Sequence, residues 1–505
     1  MPPTRSTRAP APAGPMPAAK PCAAVTAASP PRPRHRRRAP TLLLWLLLAL
    51  PGAAPPGGAP SCAAGAPAQR HLSEAAGWLL GYLRIDTSNP PGNERRAAEY
   101  LAAILAREGI ASRLWLSPGG RANLSARLTS PRSGGRALLL LHHMDVVPPG
   151  PGWTVPPFAG LVRRGSLWGR GALDDKSLGV CGLAAMVDLA RRRPALDRDV
   201  LFLAVADEEN GGGQGAAWLL AAHPELFAGV EGVIGEGGRN QFTDRLLWWG
   251  IEVAQKRPLW LRVSAHGRGG HGSALNVESA NHQLIAGLAR LLAMPRHWRV
   301  TAPVRDYLAA LAPLHNQHWQ HMLTHIDEVI GDSGPREGIF PGMANLFLDT
   351  VQVTVLAGGE RINVVPADAE ARLDVRLLPD TDAAAFLATV RGALGPQLAV
   401  EVLMTAPPAP PSPASGRLYG TLRAALGREG PVVPMLDAGT TDSRFFRERR
   451  IAAYGLSPFA LAPEDSGGIH GADEHLPLAE LDRGVERMRR IVASYAAAPA
   501  AGPHR

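Results

Sequence analysis

The stretch LLLLHHMDVVPPG, residues 138–150, is an apolar run typical of a buried strand that ends in two histidines and an aspartate where the chain turns. Taken alone, this window is equally consistent with a core strand that has a polar end. The pattern returns in VLFLAVADEEN (200–210), which ends in three carboxylates, and in GVEGVIGEGG (229–238), which ends with Glu236 between glycines. Charge at the ends of apolar strands is costly unless a cation compensates for it, so the repetition indicates a metal site.

The composition is that of a globular protein, with 505 residues, 46% of them apolar and 19% charged, which predicts two domains. Nine of the 53 basic residues precede the first acidic residue, Glu74, and the remaining 44 equal the number of Asp and Glu. Because the formal charge of +9 belongs to the amino-terminal segment and the rest is neutral, a nucleic-acid partner is not expected.

Residues 1–65 combine a basic flank, the apolar run TLLLWLLLAL (41–50) and a segment of small residues. This order predicts a signal peptide and a secreted protein, with a mitochondrial presequence as the alternative. Ten apolar residues at about 1.5 Å each are too short for a stable membrane span. The sequon Asn123-Leu124-Ser125 predicts a glycoprotein.

From about residue 70, helical and strand patterns alternate, which predicts an α/β fold with a largely parallel sheet flanked by helices. We assign residues 70–256 and 408–497 to this catalytic domain and residues 498–505 to a flexible tail. Between them, residues 257–407 follow a β-α-β-β-α-β order, which predicts an inserted, ferredoxin-like α+β lid or dimerisation domain.

The strand-end residues, together with the paired aspartates of GSLWGRGALDDKS (165–177) and the histidine of SGGIHGADEH (466–475), form a hard ligand set of nitrogen and oxygen donors. Such a set suits two zinc ions. A carboxylate shared by two ions about 3.5–4 Å apart, each completed by one His and one Glu, is the arrangement needed for metal-assisted hydrolysis.

These motifs resemble those of the zinc-dependent aminoacylase and carboxypeptidase family, peptidase family M20. The resemblance is carried, in chain order, by HMDVVPP, GWTVPPFAG, WGRGALDDK, ADEENGG, GEGG, GRGGHGS, NVVPADAEARLDVR, AGTTDSR and GIHGADEH. It covers nearly everything after the leader. Within the family, the leader and the inserted helical segment are most similar to the secreted members that make and hydrolyse N-fatty-acyl amino acids.

The resemblance implies a set of metal ligands: His143, Asp174, Glu209, Glu236 and His470. In it Asp174 bridges two zinc ions, His143 and Glu236 complete one ion, and Glu209 and His470 complete the other. Close relatives often carry an aspartate where this chain has Gly235, and if that acid were the ligand, this metal position would be incomplete here. Glu236 is favoured because Gly-Glu also occurs in more distant members of the family.

The resemblance also implies three residues that act without binding a metal. Glu208 is the general base, and Asp145 accepts the second N–H of His143. His271 polarises the scissile carbonyl, often from a partner subunit. Residues expected around the substrate are Asn363, Arg376, Gly439, Thr440 and Arg444, with an arginine pairing with the amino-acid carboxylate.

The sequence therefore predicts an enzyme, a secreted di-zinc amidohydrolase that hydrolyses and reversibly forms N-acyl amino acids, preferably with long-chain fatty acyl groups. The partners expected are this small-molecule substrate and a second copy of the chain bound through the lid, with association to lipid particles as a further option. Two alternatives stay open. One is a zinc carboxypeptidase or dipeptidase that acts on short peptides, and the other is a non-catalytic carrier of acyl-amino acids.

Overall fold

The computed structural model describes residues 72–242, 245–330, 342–466 and 468–497. The predicted leader, residues 1–65, and the predicted tail, residues 498–505, lie outside the described residues. The strands, in chain order, are β1 (Ser112–Leu116), β2 (Ala122–Leu128), β3 (Ala137–His143), β4 (Leu161–Arg163), β5 (Ser166–Trp168), β6 (Asp199–Val205), β7 (Val230–Gly235), β8 (Arg239–Phe242), β9 (Leu246–Gln255), β10 (Arg257–His266), β11 (Gly270–His271), β12 (Thr350–Ala357), β13 (Val364–Val365), β14 (Asp368–Leu377), β15 (Leu398–Thr405), β16 (Val432–Asp437), β17 (Ala452–Gly455) and β18 (His475–Pro477).

The α-helices connect and cover these strands. In chain order they are α1 (Glu74–Leu83), α2 (Glu94–Arg107), α3 (Lys176–Arg192), α4 (Ala216–Ala222), α5 (Ala280–Leu292), α6 (Ala302–Leu311), α7 (Gln317–Thr324), α8 (Ile326–Ile330), α9 (Ala383–Leu394), α10 (Gly416–Leu426), α11 (Ser443–Glu448), α12 (Pro463–Ser466) and α13 (Leu478–Ala496).

Nine strands of the described chain form the larger sheet, in the order β1-β2-β6-β3-β7-β17-β9-β16 with β8 paired to β9. Its centre is parallel, since β3 pairs in parallel with both β6 and β7, and β7 pairs in parallel with β17. Antiparallel pairs lie on both sides of this centre: β2 pairs with β1 and β6 on one side, and β9 pairs with β17 and β8 on the other. The predicted fold class, a largely parallel sheet flanked by helices, is confirmed.

Both faces of the central strands are buried, which explains their uninterrupted apolar sequences. All seven residues of β3 and all seven of β6 are buried. Leu138 and Leu140 join the core that contains α1, α3 and α13, whereas Leu139 and Leu141 join the core on the other face. This alternation fixes the direction of each side chain at the end of β3, because adjacent strand residues point to opposite faces.

A second, antiparallel sheet has the order β12-β14-β10-β15 and is built from residues 257–405. Helices α5 and α9 cover one of its faces around a separate apolar core that includes Leu261, Leu284, Leu373 and Leu394. The β-α-β-β-α-β order read from the sequence therefore appears as a ferredoxin-like α+β unit. Its uncovered face carries residues that line the cleft described below.

The helical segment between α5 and β12 does not pack on this small sheet. Helices α6, α7 and α8 share a core with the larger sheet, where Val304, Tyr307 and Leu308 lie among Trp248 of β9 and Met435 of β16. The segment lies inside residues 257–407, yet it covers the β9–β16 end of the larger sheet. None of the helices in the described parts of the chain is long and apolar enough to cross a bilayer.

The predicted glycosylation site is buried in the structure. Asn123 is fully buried in β2, where its Nδ2 donates to the Gln214 carbonyl at 3.1 Å and its Oδ1 accepts the Ala206 N–H at 2.9 Å. Both ends of the amide are used within the fold, so the folded chain offers no glycan acceptor at this sequon. A glycan on Asn123 would therefore displace both of these hydrogen bonds.

Candidate metal centre and cleft

Three of the predicted ligands follow neighbouring parallel strands at the same edge of the larger sheet. His143 is the last residue of β3, Glu209 follows β6, and Glu236 follows β7 directly. Because the carboxyl ends of parallel strands meet at one edge, these side chains converge. Two further groups reach the same point from connecting segments: Asp174, shortly before α3, and His470, between α12 and β18.

The five side chains form two triads that share Asp174. In the first triad, His143 Nε2 lies 3.0 Å from Asp174 Oδ1 and 3.6 Å from Glu236 Oε2. In the second, His470 Nε2 lies 3.0 Å from Asp174 Oδ2 and 3.3 Å from Glu209 Oε2. Within each triad the potential ligand atoms lie within 4.8 Å of one another. Asp174 thus presents one oxygen to each triad.

The donor set fits two divalent cations. Each triad offers one imidazole and two carboxylates, which are ligands that zinc accepts. Glu236 Oε2 is buried and has no hydrogen-bond partner among the described residues. Burial and the nearby Asp174 and Glu208 carboxylates raise the pKa of Glu236 well above its ordinary value. Bound cations would reduce the repulsion among these closely spaced carboxylates.

Asp145 lies beside the second ring nitrogen of His143, and its backbone makes the closer contact. The ring Nδ1 of His143 lies 2.9 Å from the backbone carbonyl of Asp145 and 3.7 Å from its carboxylate. The carboxylate instead accepts the backbone N–H groups of Glu208 and Glu209, both at 3.1 Å, and the Asn89 Nδ2 at 2.7 Å. The His143 ring thus contacts the Asp145 carbonyl more closely than the carboxylate, although both lie beside its Nδ1. Asp145 fixes the turn that carries both glutamates.

His142 points away from the cluster, as strand alternation predicts. Its Nε2 lies 3.3 Å from the Tyr82 hydroxyl, and its ring packs against Phe202 on the other face of the sheet. Burial, together with the neighbouring His143, lowers the pKa of His142 to about 3, so this ring is neutral at physiological pH.

A cleft of about 280 Å³ opens above the two triads. Glu208 lines it beside the ligands, and burial, with the Asp442 and Glu209 carboxylates, raises the pKa of Glu208 well above its ordinary value. A larger, shallow groove of about 540 Å³ runs between α6 and α7, but it contains none of the clustered acids.

Four of the five predicted substrate-binding residues line this cleft: Arg376, Gly439, Thr440 and Arg444. The Nη1 of Arg376 donates to Thr440 Oγ1 at 3.2 Å, and the Thr440 hydroxyl donates to the Lys256 carbonyl at 2.9 Å. The Nη2 of Arg444 donates to the Gly211 carbonyl at 2.7 Å. Two guanidinium groups therefore lie in the cleft beside the predicted catalytic turn.

His271 and Asn363 do not reach the cleft of their own chain. They lie on the two-stranded ribbon formed by β11 and β13, where both are exposed and Gly272 N–H donates to the Asn363 carbonyl at 2.8 Å. The His271 Nδ1 contacts the Ser273 hydroxyl at 2.7 Å. Neither residue lines the cleft. The structure brings these two residues together, but at a place separate from the metal centre.

Comparison with known proteins agrees with these motifs and this geometry. The sequence pattern described as peptidase family M20/M25/M40 matches residues 139–494. The chain belongs to this family. The human N-fatty-acyl-amino acid synthase/hydrolase PM20D1 is 26% identical over 379 residues, which cover 70% of this chain and 73% of that protein. Human aminoacylase-1 is 26% identical over 430 residues, which cover 83% of this chain and 94% of that protein.

Solved structures of the family share the fold. The M20 family metallo-carboxypeptidase Sso-CP2 from Sulfolobus solfataricus superposes with a TM-score of 0.65 at 18% identity, covering 84% of this chain and 99% of that one. Human carnosine dipeptidase 1 gives a TM-score of 0.60 at 14% identity, covering 83% and 95%. The expected membership of M20 is confirmed, and this M20 chain is a metal-dependent amidohydrolase.

Sequence reasoning missed the residue that joins the two segments supplying Asp174 and His470. Glu474 is fully buried, and its carboxylate accepts the backbone N–H groups of Gly171, Leu173 and Asp174 at 2.7–3.1 Å. It also pairs with Arg170 Nη1 at 2.6 Å. The acid was present in the motif GIHGADEH, but nothing in its spacing indicated a partner about 300 positions earlier in the chain.

A second missed group lies behind the cleft. The fully buried Glu252 accepts a bond of 2.6 Å from Arg447 Nη1, and Arg447 also lies 3.3 Å from Gln255 Oε1. The Gln255 amide donates to the Thr441 carbonyl at 3.0 Å, in the loop that carries Arg444. A chain of buried polar contacts thus supports the arginine side of the M20 cleft.

Proposed function

We propose that this chain is a two-zinc amidohydrolase that cleaves N-acyl amino acids, and that forms them when fatty acid and amino acid are abundant. Long-chain fatty acyl groups and apolar amino acids are the preferred substrates. The observation that carries the proposal is the position of Asp174, which offers one carboxylate oxygen to each of two His/Glu pairs. The names of the similar proteins, an N-fatty-acyl-amino acid synthase/hydrolase and an aminoacylase, support the substrate class.

His143, Asp174 and Glu236 would hold one zinc ion, and Asp174, Glu209 and His470 the other. Bound there, the two ions would polarise the scissile carbonyl and make water more acidic. Glu208 lines the cleft but belongs to neither triad, so its carboxylate is free to act as the base. It takes a proton from the attacking water and delivers it to the amide nitrogen, which leaves as the free amine while the acyl group becomes a carboxylate.

The cleft arginines would recognise the amino-acid carboxylate. Arg376 already pairs through Nε and Nη2 with the Asp374 carboxylate, at 2.8 and 3.2 Å. Arg444 has no ion pair of this kind among the described residues, and its buried Nε lacks a hydrogen-bond partner there. A substrate carboxylate could satisfy that group, with Thr440 and the Gly439 backbone beside it.

A homodimer would bring His271 and Asn363 into use. They lie at the ribbon of β11 and β13, and the loops that adjoin it carry the strongly exposed side chains Leu275, Val277 and Ile362. Isolated exposed apolar residues are common, but several of them in adjoining loops are typical of an interface. The inserted domain, residues 257–407, would pair with its copy so that each His271 enters the cleft of the other chain.

Complementation between two inactive variants tests the dimer. A His271→Ala chain keeps Glu208 in its own cleft, and a Glu208→Gln chain keeps His271 for its neighbour. When the two are mixed and allowed to exchange, activity should return, since each mixed dimer contains one complete cleft. The two variants carry different affinity tags, so that mixed dimers can be purified through both tags. No recovery of activity in these purified mixed dimers would contradict a shared site.

The proposal also includes the destination of the chain in the cell and the boundaries of its domains. The basic flank and short apolar run within residues 1–65 would direct the chain to the secretory pathway, with mitochondrial import as the alternative. Residues 70–256 and 408–497 would form the catalytic domain around the insertion. Expression of the full chain in cultured cells, followed by sequencing of the amino terminus of the protein in medium and in mitochondria, distinguishes the two destinations.

An amide-hydrolysis screen tests the activity. The purified, zinc-loaded chain is assayed on N-oleoyl amino acids, N-acetyl amino acids and dipeptides, with Glu208→Gln as the control. We expect hydrolysis of N-oleoyl amino acids to be fastest and Glu208→Gln to be at least about 100-fold slower. Turnover of dipeptides alone would make the chain a peptidase, and two bound zinc ions without any turnover would make it a carrier.

A further inference from the structure

The uncovered face of the small sheet contributes an apolar wall to the cleft. In the antiparallel register, Pro258 of β10 lies opposite Arg376 of β14, and Trp260 lies opposite Met404 of β15. The residues between them, such as Leu259, belong to the helix-covered core. Strand alternation therefore turns Pro258, Trp260 and Arg376 towards the cleft. A register shift between β10 and β15 at Trp260 brings Met404 to the same side, and all four residues line the cleft.

Trp260 is held in a fixed orientation within this wall. Its Nε1 donates to Asp374 Oδ1 at 3.0 Å, and the same carboxylate oxygen accepts from Arg376 Nε at 2.8 Å. The Arg376 guanidinium carbon lies 5.9 Å from the centre of the indole ring. One carboxylate thus orients both the aromatic surface and the cation beside it, so that neither moves without the other.

Met404 reaches the turn that carries the predicted base. Gly211 has a φ of +100°, and a Cβ built on it would lie 2.7 Å from Met404 Cε, so the absence of a side chain allows this close approach. The carbonyl of Gly211 accepts the Nη2 of Arg444 at 2.7 Å. The thioether is therefore next to one cleft arginine, as the indole is next to the other.

We infer that Trp260 and Met404 form the subsite for the amino-acid side chain and select apolar and aromatic residues, an inference that rests on the proposed function. A carboxylate paired with Arg376 or Arg444 places its α-carbon beside these arginines. The substituent on that carbon is then adjacent to the indole and the thioether. A hydroxyl side chain would lose water against the indole and the thioether without gaining a hydrogen bond from them, so it is disfavoured.

The acyl chain leaves the reacting carbonyl on the other side. It passes Ile469, a half-exposed residue next to His470 at the opening of the cleft. The small sheet thus determines the preference for the amino acid, whereas residues near the His470 loop determine the preference for acyl length. The two preferences should change independently in variants.

The test varies the two parts of the substrate separately. The zinc-loaded full chain is assayed for kcat/KM on N-oleoyl phenylalanine and N-oleoyl serine, and then on N-acetyl, N-octanoyl and N-oleoyl phenylalanine. The variants are Trp260→Ala, Trp260→Phe and Met404→Ala. Leu403→Ala is the matched control, because Leu403 precedes Met404 in β15 and is exposed outside the cleft.

Trp260→Ala and Met404→Ala should each lower the preference for phenylalanine over serine by roughly tenfold or more. In both variants, the ratios of kcat/KM between the acyl lengths should stay within about threefold of the wild-type ratios. Trp260→Phe should keep most of the preference for phenylalanine over serine. Leu403→Ala should change neither the amino-acid preference nor the acyl ratios. The opposite result, altered acyl ratios with an unchanged phenylalanine preference, would overturn the assignment. Far-ultraviolet circular dichroism and zinc content identify any variant that has not folded, and the other variant then decides.

The same assays distinguish an error in the proposed function from an error in the subsite assignment. If the wild-type chain hydrolyses only dipeptides, the acyl-amino-acid proposal is wrong, and the same comparison is made on peptides ending in phenylalanine or serine. A loss of that carboxy-terminal preference in Trp260→Ala and Met404→Ala supports the subsite. If neither variant alters it, or if the wild-type chain hydrolyses neither class of substrate, the subsite assignment is overturned.

Discussion

The two triads that share Asp174 differ in how the fold holds them. The side chain of His143 is 1% exposed at the end of a central strand, whereas that of His470 is 54% exposed in a loop. The His143 ring is oriented by the Asp145 carbonyl, and the His470 loop is tied to the Asp174 segment by Glu474. The triad with His143 is thus built on the sheet, and the triad with His470 is completed by a loop. We therefore expect the two triads to bind metal with unequal affinities.

The largest effect should follow from the shared residue. Asp174→Asn removes the only carboxylate that contacts both triads among the described residues, so both ions should be lost and turnover should fall below detection. Zinc content by mass spectrometry and the amide-hydrolysis assay measure this. Asp188→Asn, on the same chain segment in α3 and paired with Arg192, is the control and should keep both ions.

Replacing one histidine at a time should show that the two triads bind metal independently. His470→Ala should retain one zinc ion per chain, because the buried triad of His143, Asp174 and Glu236 stays intact. In the wild-type chain, chelator titration should remove the metal in two steps, the loop-held ion first, since a preorganised site binds more tightly. Simultaneous loss of both ions in His470→Ala would contradict the idea of two unequal halves.

Glu474→Gln should weaken the loop half by an intermediate amount. The neutral amide cannot balance Arg170 or accept the three backbone N–H groups as a carboxylate does. Supporting residues of this kind typically contribute tenfold to 100-fold in metal affinity. Competition with a fluorescent zinc chelator measures the change. Glu464→Gln, an exposed acid in α12, is the control, and an equal change in that variant would argue against a specific role for Glu474.

The smallest effect on activity should come from His142, the neighbour of the first ligand. Its ring lies on the opposite face, so His142→Gln should leave zinc content and kcat/KM within about threefold. The loss of its contact with Tyr82 should lower the free energy of unfolding by about 1–3 kcal/mol. Urea denaturation gives the stability. Loss of zinc from the folded variant would mean that strand alternation does not separate the two histidines.

The sequence predicted the ligands best where they follow apolar runs. His143, Glu209 and Glu236 end strands whose burial could be recognised from composition, and parallel pairing then brings them together. Asp174 and His470 were candidates by residue type alone, but only the family resemblance assigned their roles, since turns rich in glycine do not reveal where they lead. The true hydrogen bonds of Asp145 depend on the geometry of one turn, which no residue pattern records.

Longer-range features were beyond the sequence for a related reason. The pairing of Glu474 with the Asp174 segment joins positions about 300 residues apart. The β-α-β-β-α-β order predicted the small sheet but not which of its faces meets the cleft, so the wall formed by Trp260 and Met404 was missed. Likewise, the sequon at Asn123 gave no sign that its strand pairs on both sides and is buried.

Anomalous diffraction at the zinc absorption edge, from crystals of the metal-loaded chain, tests most directly whether one side chain joins the two halves. We expect two zinc peaks about 3.5–4 Å apart, with one oxygen of Asp174 on each, His143 and Glu236 on the first, and Glu209 and His470 on the second. A single zinc peak, or two peaks of which Asp174 contacts only one, would contradict the account.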